Sequence, residues 1–136
     1  MSVLPIIHLG HPKLRKKSQK VSLETLKSSL MQQFLDNLVE TCIAGNGVGI
    51  AAPQVGVNKR IIVVHVNPKN PRYPNRKPFP LTLVINPVIV SSSKEIREDW
   101  EGDLSAALRA LVPRAASCIV VGLDRDGVKV LSLIHI

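Results

Sequence analysis

Five prolines fall between Pro68 and Pro80, in the run NPKNPRYPNRKPFP that begins at Asn67. A proline fixes φ and has no backbone donor, so this run excludes both a helix and a central strand and reads as an exposed connection. It divides the 136-residue chain into a front part with room for one long helix and a rear part of short apolar runs. That length is expected to form a single domain spanning 1–136, for which surface scaling gives roughly 7,000 Å² exposed in the folded state. With 45% hydrophobic and 21% charged residues the chain is neither disordered nor collagen-like. Aromatics are only 3%, so the core has to be built from Val, Ile, Leu and Ala.

In the front part, Leu23, Leu26, Leu30, Phe34 and Leu38, with Leu35 and Cys42 one position over, recur at spacings of three and four. This is the pattern of an amphipathic helix over Leu23–Ile43. Ser22 is placed to cap its first turn, Glu24 suits the positive helix end, and Gly45 is a natural stop. RIIVVHV, Arg60–Val66, reads as a buried strand on its β-branched content. Behind the prolines, Leu81–Val90 reads as a strand broken or bulged at Asn86-Pro87. An acidic segment, Lys94–Asp103, and a small-residue stretch reaching Ala110 come next. Ser117–Ile134 is a hairpin candidate, two apolar runs around the turn signal Asp126-Gly127. One long helix among several short strands predicts an α+β fold with mostly antiparallel strands.

Charge and cysteine content narrow the partners. Residues 1–77 carry 12 Lys+Arg against 3 Asp+Glu, and residues 78–136 carry 6 against 7. The basic half could face RNA or the ribosome. A solvated basic surface is the simpler reading, because the lysines are scattered and no RNA-binding motif accompanies them. Cys42 and Cys118 are far apart with no CxxC spacing, which speaks against a disulfide framework or zinc finger and for two inert thiols. No stretch approaches the roughly 18 apolar residues of a membrane span and the N-terminus lacks a secretory signal, so no membrane partner and a cytoplasmic (or organellar) location are expected.

The loop GNGVGIAAPQVG, Gly45–Gly56, is where chemistry is expected. Its glycines permit close backbone approach, it lacks the lysine of a phosphate loop, and the amide of Gln54 can donate to a developing oxyanion. Gly47-Val48-Gly49-Ile50-Ala51-Ala52-Pro53-Gln54 resembles the G-φ-G-φ-A-A-x-Q loop of peptide deformylases at every defined position. Glu101-Gly102-Asp103-Leu104-Ser105, preceded by Trp100, resembles their E-G-C-L-S motif at four of five positions. Arg109–Arg114 and Asp124–Gly127 are similar to the segments that follow that motif, and Leu9–Arg15 to the family's N-terminal strand and turn.

The resemblance implies a hydrolase that removes the formyl group from N-terminal formylmethionine of new proteins, with formylmethionyl peptides as partners and Fe²⁺ or Zn²⁺ as cofactor. It implies Gln54 and the Leu104 backbone N–H as oxyanion donors, and Val48, Gly49 and Ile50 as the substrate channel, Gly49 bonding the peptide as an added strand does. Three departures follow. Asp103 stands where the family has its metal-binding cysteine, which makes it at best a weak metal ligand. Ser105 to Arg109 is one residue shorter than the family pattern and lacks its proline, so a bulge is lost or the loop rebuilt. No H-E-x-x-H occurs in the 136 residues, and His8, His11, His65 and His135 lie outside the family's ligand positions. The chain is therefore expected to be a member lacking the C-terminal metal-binding helix, with little or no activity and no stably bound metal. An uncovered core face would favour a homo-oligomer or partner. The alternative from another class is a non-catalytic peptide- or RNA-binding module.

Overall fold

A computed structural model describes residues 2–135; Ile136, the last of the apolar tail, lies outside them. The Leu23–Ile43 pattern forms two helices rather than one, α1 (Leu23–Leu26) and α2 (Ser29–Ala44). Ser22 caps α1 by accepting from the Thr25 N–H, and Ser28 does the same for α2 on the Met31 N–H. That second cap restarts the helix and resets its phase. The buried stripe is consequently Met31, Leu35, Leu38 and Cys42, whereas Leu23 and Leu30, counted in the apolar face from spacing alone, are exposed. Gly45 ends α2 as expected.

The strands, in chain order, are β1 (Gly49–Ala51), β2 (Ile61–Val66), β3 (Phe79–Ser92), β4 (Ile96–Asp103), β5 (Ala106–Ala115), β6 (Ser117–Leu123) and β7 (Lys129–His135). Five form one sheet in the order β1-β2-β3-β6-β7, and β4 with β5 forms a separate two-stranded sheet. Every strand pairing is antiparallel, as the α+β reading requires. The core joins Leu26, Leu35, Leu38 and Cys42 of the helices to Ile50, Ile61, Val63 and Ile85 of the sheet. Each such aliphatic side chain contributes roughly 1.5–3 kcal/mol by leaving water.

Between Ile85↔Leu123 and Val88↔Val121 β3 carries one residue more than β6, which is the bulge expected at Asn86-Pro87. Asn86 adopts φ 54°, and its side-chain amide accepts from the Val21 N–H and donates to the Val21 carbonyl at 2.8 and 2.9 Å. One residue thus bends the central strand and anchors the segment that enters α1. The hairpin at the rear is as expected, with Gly127 at φ 83° in its turn.

Two segments depart from expectation. Leu9–Arg15 has no strand; it holds a 3₁₀ turn over Pro12–Arg15, and the chain before it is tied by single bonds, Ile7 N–H to Gln54 O and Leu9 N–H to Ser105 O. The acidic and small-residue stretches, to which the sequence pattern assigns no element, are strands β4 and β5. Their hairpin is solvated on both faces, so its charges pair across strands, as Arg114 does with Glu101, while Ile96, Trp100 and Leu111 stay exposed on the other face. Val88, Ile89 and Val90 on β3, with Leu131 and Leu133 on β7, are exposed too. The surface is 8554 Å², against about 7,000 Å² for a compact monomer of this mass. Among the described residues no helix is long and apolar enough to cross a membrane.

Candidate functional site

The glycine loop is shaped by what leans on it. A Cβ on Gly47 would sit 2.9 Å from Leu104 Cδ1, and one on Gly49 would sit 3.0 Å from the Val63 carbonyl, so the backbone lies close against its neighbours. β1 then runs into a 3₁₀ turn, Ala52–Val55, that carries Gln54 back under the strand. The Gln54 amide is fixed at both ends. Its Oε1 accepts from the Ala51 N–H at 2.9 Å, and its Nε2 donates to Asp103 Oδ1 at 3.0 Å and to Ser105 Oγ at 3.3 Å. Asp103 Oδ1 also accepts from the Ser105 N–H at 2.7 Å. Three residues drawn from two distant motifs are thereby joined into one network.

Around this network lies a small cavity of about 60 Å³, which Val48, Gly49, Gln54, Asp103 and Leu104 line together. Five of the six residues singled out from sequence converge there. Ile50 does not: its side chain is buried on the core side of β1 against the helix. A wider cleft of about 480 Å³ adjoins the cavity, sharing Gly102, Asp103 and Leu104 and reaching His8 and Leu108.

Sequence reasoning missed a second layer. Tyr73, in the middle of the proline run, is buried, and its hydroxyl accepts from the Gly102 N–H at 2.9 Å. Arg72, Arg76 and Arg109 lie over its ring, 5.6, 5.9 and 4.7 Å from the centroid. Arg76 pairs with Asp99, which that contact holds below the usual carboxylate range. Arg109 instead donates to the Arg72 carbonyl, and neither Arg72 nor Arg109 has a carboxylate partner among the described residues. Arg72 Nη2 and Arg109 Nε both lie within 3.3 Å of the position a Gly102 Cβ would take. An aromatic flanked by arginines inside an otherwise polar loop was the available signal. Arg109 reaches this place because β5 bulges between Glu101↔Ala110 and Asp103↔Ala106, so the shortened motif is accommodated by a rebuilt loop rather than a flat strand.

The metal ion implied by the resemblance is not matched by donors. Among the described residues no three His, Cys, Asp or Glu side chains converge to hold an ion. Asp103 is the one carboxylate lining the cleft, and the oxygen it turns inward already takes two hydrogen bonds. His11 Nδ1 caps the 3₁₀ turn, His65 and His135 lie on β2 and β7, and His8 reaches only the outer cleft. Cys42 is buried in the core, which pushes its thiol up to about 11 and keeps it protonated. These residues do not fit a catalytic Fe²⁺ or Zn²⁺, and Asp103 is better described as an acceptor for Gln54 and Ser105 than as a ligand.

The family model described as polypeptide deformylase matches residues 3–133. Peptide deformylase 2 of a Nostoc species is 46% identical over 126 residues, covering 92% of this chain and 69% of that protein. Peptide deformylase 1 of Nitrosomonas europaea is 33% identical, covering 94% and 72%. Among solved structures, the K4U-bound class I type b peptide deformylase from Acinetobacter baumannii superposes with a TM-score of 0.94 at 36% identity, covering 99% of this chain and 85% of that one. The Met-Ala-Ser-bound form of the same protein gives 0.93 at 35%, covering 99% and 86%.

Proposed function

We propose, from the premise that this chain belongs to the polypeptide deformylase family, that its 136 residues bind formylmethionyl peptides in the Gly47–Gln54/Asp103 cleft without hydrolysing them. The single observation behind this reading is the placement of the Gln54 amide. It is oriented by the Ala51 N–H and directed at residue 103, beside the edge strand β1 and the Leu104 backbone. To meet a carbonyl or formyl oxygen the Gln54 amide exchanges the longer of its two contacts, to Ser105 Oγ at 3.3 Å, for the ligand and keeps its orientation. Val48 and Gly49 line the same cavity, and β1 is an edge strand able to receive an extended peptide by strand addition.

The family is one of metalloenzymes, and water activation is the chemistry a bound ion supplies there. The donors among the described residues do not assemble such a site, so binding is separated from hydrolysis. What its own residues do is orient and exclude: Gln54 and the Leu104 N–H hold the oxygen, Gly49 lets the peptide backbone approach, and Leu104 packs against Gly45 and Gly47 to close the cavity floor. The experiment is calorimetric titration of the purified chain with formyl-Met-Ala-Ser, alongside a deformylation assay on the same sample. Binding without turnover supports the proposal; absence of binding, or turnover at an intact enzyme's rate, contradicts it.

A further inference from the structure

Arg72 and Arg109 are the cations of the cleft without a carboxylate partner among the described residues, and both reach one point above Gly102. They are not free to swing apart. Each is stacked on Tyr73, Arg109 Nη2 donates to the Arg72 carbonyl at 2.8 Å, and the Tyr73 hydroxyl is itself fixed on the Gly102 N–H. The stack orders the guanidinium groups while leaving their donors unspent, which is the arrangement that recognises a planar anion. Asp103 is the carboxylate that lines the same cavity and cleft. Its inward oxygen is committed to Gln54 and Ser105, and it makes no ion pair with either arginine. Arg76, the third cation of the stack, is neutralised by Asp99, and Arg114 by Glu101. The uncompensated charge therefore belongs to Arg72 and Arg109, and both line the 480 Å³ cleft that continues from the small cavity holding Gln54.

We infer that Arg72 and Arg109, ordered by Tyr73, form a carboxylate-binding seat that selects formylmethionyl peptides bearing an acidic side chain downstream of the formylmethionine. This rests on the peptide-binding reading above and adds a substrate class to it. The cavity beside Gln54 has room for little more than the formyl group, and the wider cleft where the two arginines stand opens from it at Arg72, Gly102, Asp103 and Leu104, which gives the residues that follow a path to them.

The test compares formyl-Met-Ala-Asp-amide with its near-isostere formyl-Met-Ala-Asn-amide by calorimetry on the full chain. The aspartyl peptide is expected to bind about tenfold more tightly at low salt, as a charge-assisted contact allows, and the preference is expected to shrink as salt is raised. Arg72→Gln and Arg109→Gln should each remove most of the preference, read as the ratio of the two peptides' affinities on the same variant. Arg97→Gln, which removes a cation paired with Glu95 away from the cleft, should keep the preference. Far-UV circular dichroism checks that each variant is folded, and exposed Arg109 provides the second variant if Arg72→Gln is not. Equal binding of the two peptides by the parent chain, or a preference that survives both Gln variants, overturns the inference and leaves the channel reading standing. Failure of both peptides to bind overturns the channel reading and this one with it.

Discussion

Replacing Gln54 by Glu probes the contact that joins the two motifs. The new carboxylate keeps the acceptor that takes the Ala51 N–H but loses the donor, and it places a second negative oxygen 3.0 Å from Asp103 Oδ1. Two unit charges at that separation repel by about 1.4 kcal/mol in water and about 5.5 kcal/mol at an effective dielectric of 20. Asp103 is exposed on the cleft rim, so the net cost lies toward the lower end, about 2 kcal/mol, plus about 1 kcal/mol for the lost hydrogen bond. Asp103→Asn alone should cost little, because an amide oxygen at that place still accepts from the Ser105 N–H. Combining it with Gln54→Glu removes the charge on residue 103 and with it the repulsion, so the double variant should recover about 2 kcal/mol relative to the sum of the singles. Urea unfolding followed by circular dichroism reads this as a midpoint about 1 M higher than additivity gives, for a slope near 2 kcal/mol per molar. A coupling below about 0.5 kcal/mol would mean that Gln54 and Asp103 do not touch in solution, and the network argued for the site would fall with it.

Other perturbations test the frame that holds the site. Asn86→Ala strips both bonds from the buried Val21 backbone and leaves a Cβ residue at φ 54° without its local amide, so a loss of about 3 kcal/mol is expected in urea unfolding. Asn86→Gly should recover about 1 kcal/mol of that, since glycine takes this φ without strain. Gly122→Ala would put its Cβ 2.4 Å from Val84 Cγ1 and 2.7 Å from the Ile85 carbonyl, where backbone has to move; a destabilisation of about 1–3 kcal/mol is expected, with a lower thermal midpoint. Burial holds the Cys42 thiol up to about 11, so at pH 8 it stays neutral and shielded while half-buried Cys118 reacts; Ellman titration should find one fast thiol in the native chain and two in urea.

Much of this was legible in the chain. Asn86-Pro87 marked a bulge because proline cannot donate to the ladder, and Asp126-Gly127 marked a hairpin because glycine supplies the positive φ its turn uses. The two loop motifs singled out Val48, Gly49, Gln54, Asp103 and Leu104, and these five line one cavity. The break between α1 and α2 was hidden, since apolar spacing cannot see a serine cap that shifts phase by one residue. β4 and β5 were hidden because a hairpin wet on both faces has no alternation to display. Ile50 was placed in the channel with its neighbours, although alternation along β1 turns its side chain into the core. Tyr73 and its arginines came from a segment whose prolines announced only an exposed loop; the aromatic among arginines was the one local sign, and its partner Gly102 lies 29 residues on.

The central claim is that this chain retains a formyl-peptide channel without a catalytic metal centre. One sample decides it: the purified 136-residue chain, loaded with Fe²⁺ under anaerobic conditions or with Zn²⁺, desalted, and measured for metal content, formyl-Met-Ala-Ser binding and formate release together. The account predicts saturable peptide binding with far less than one metal per chain and no formate above background. One tightly held metal per chain with sustained formate release would contradict it.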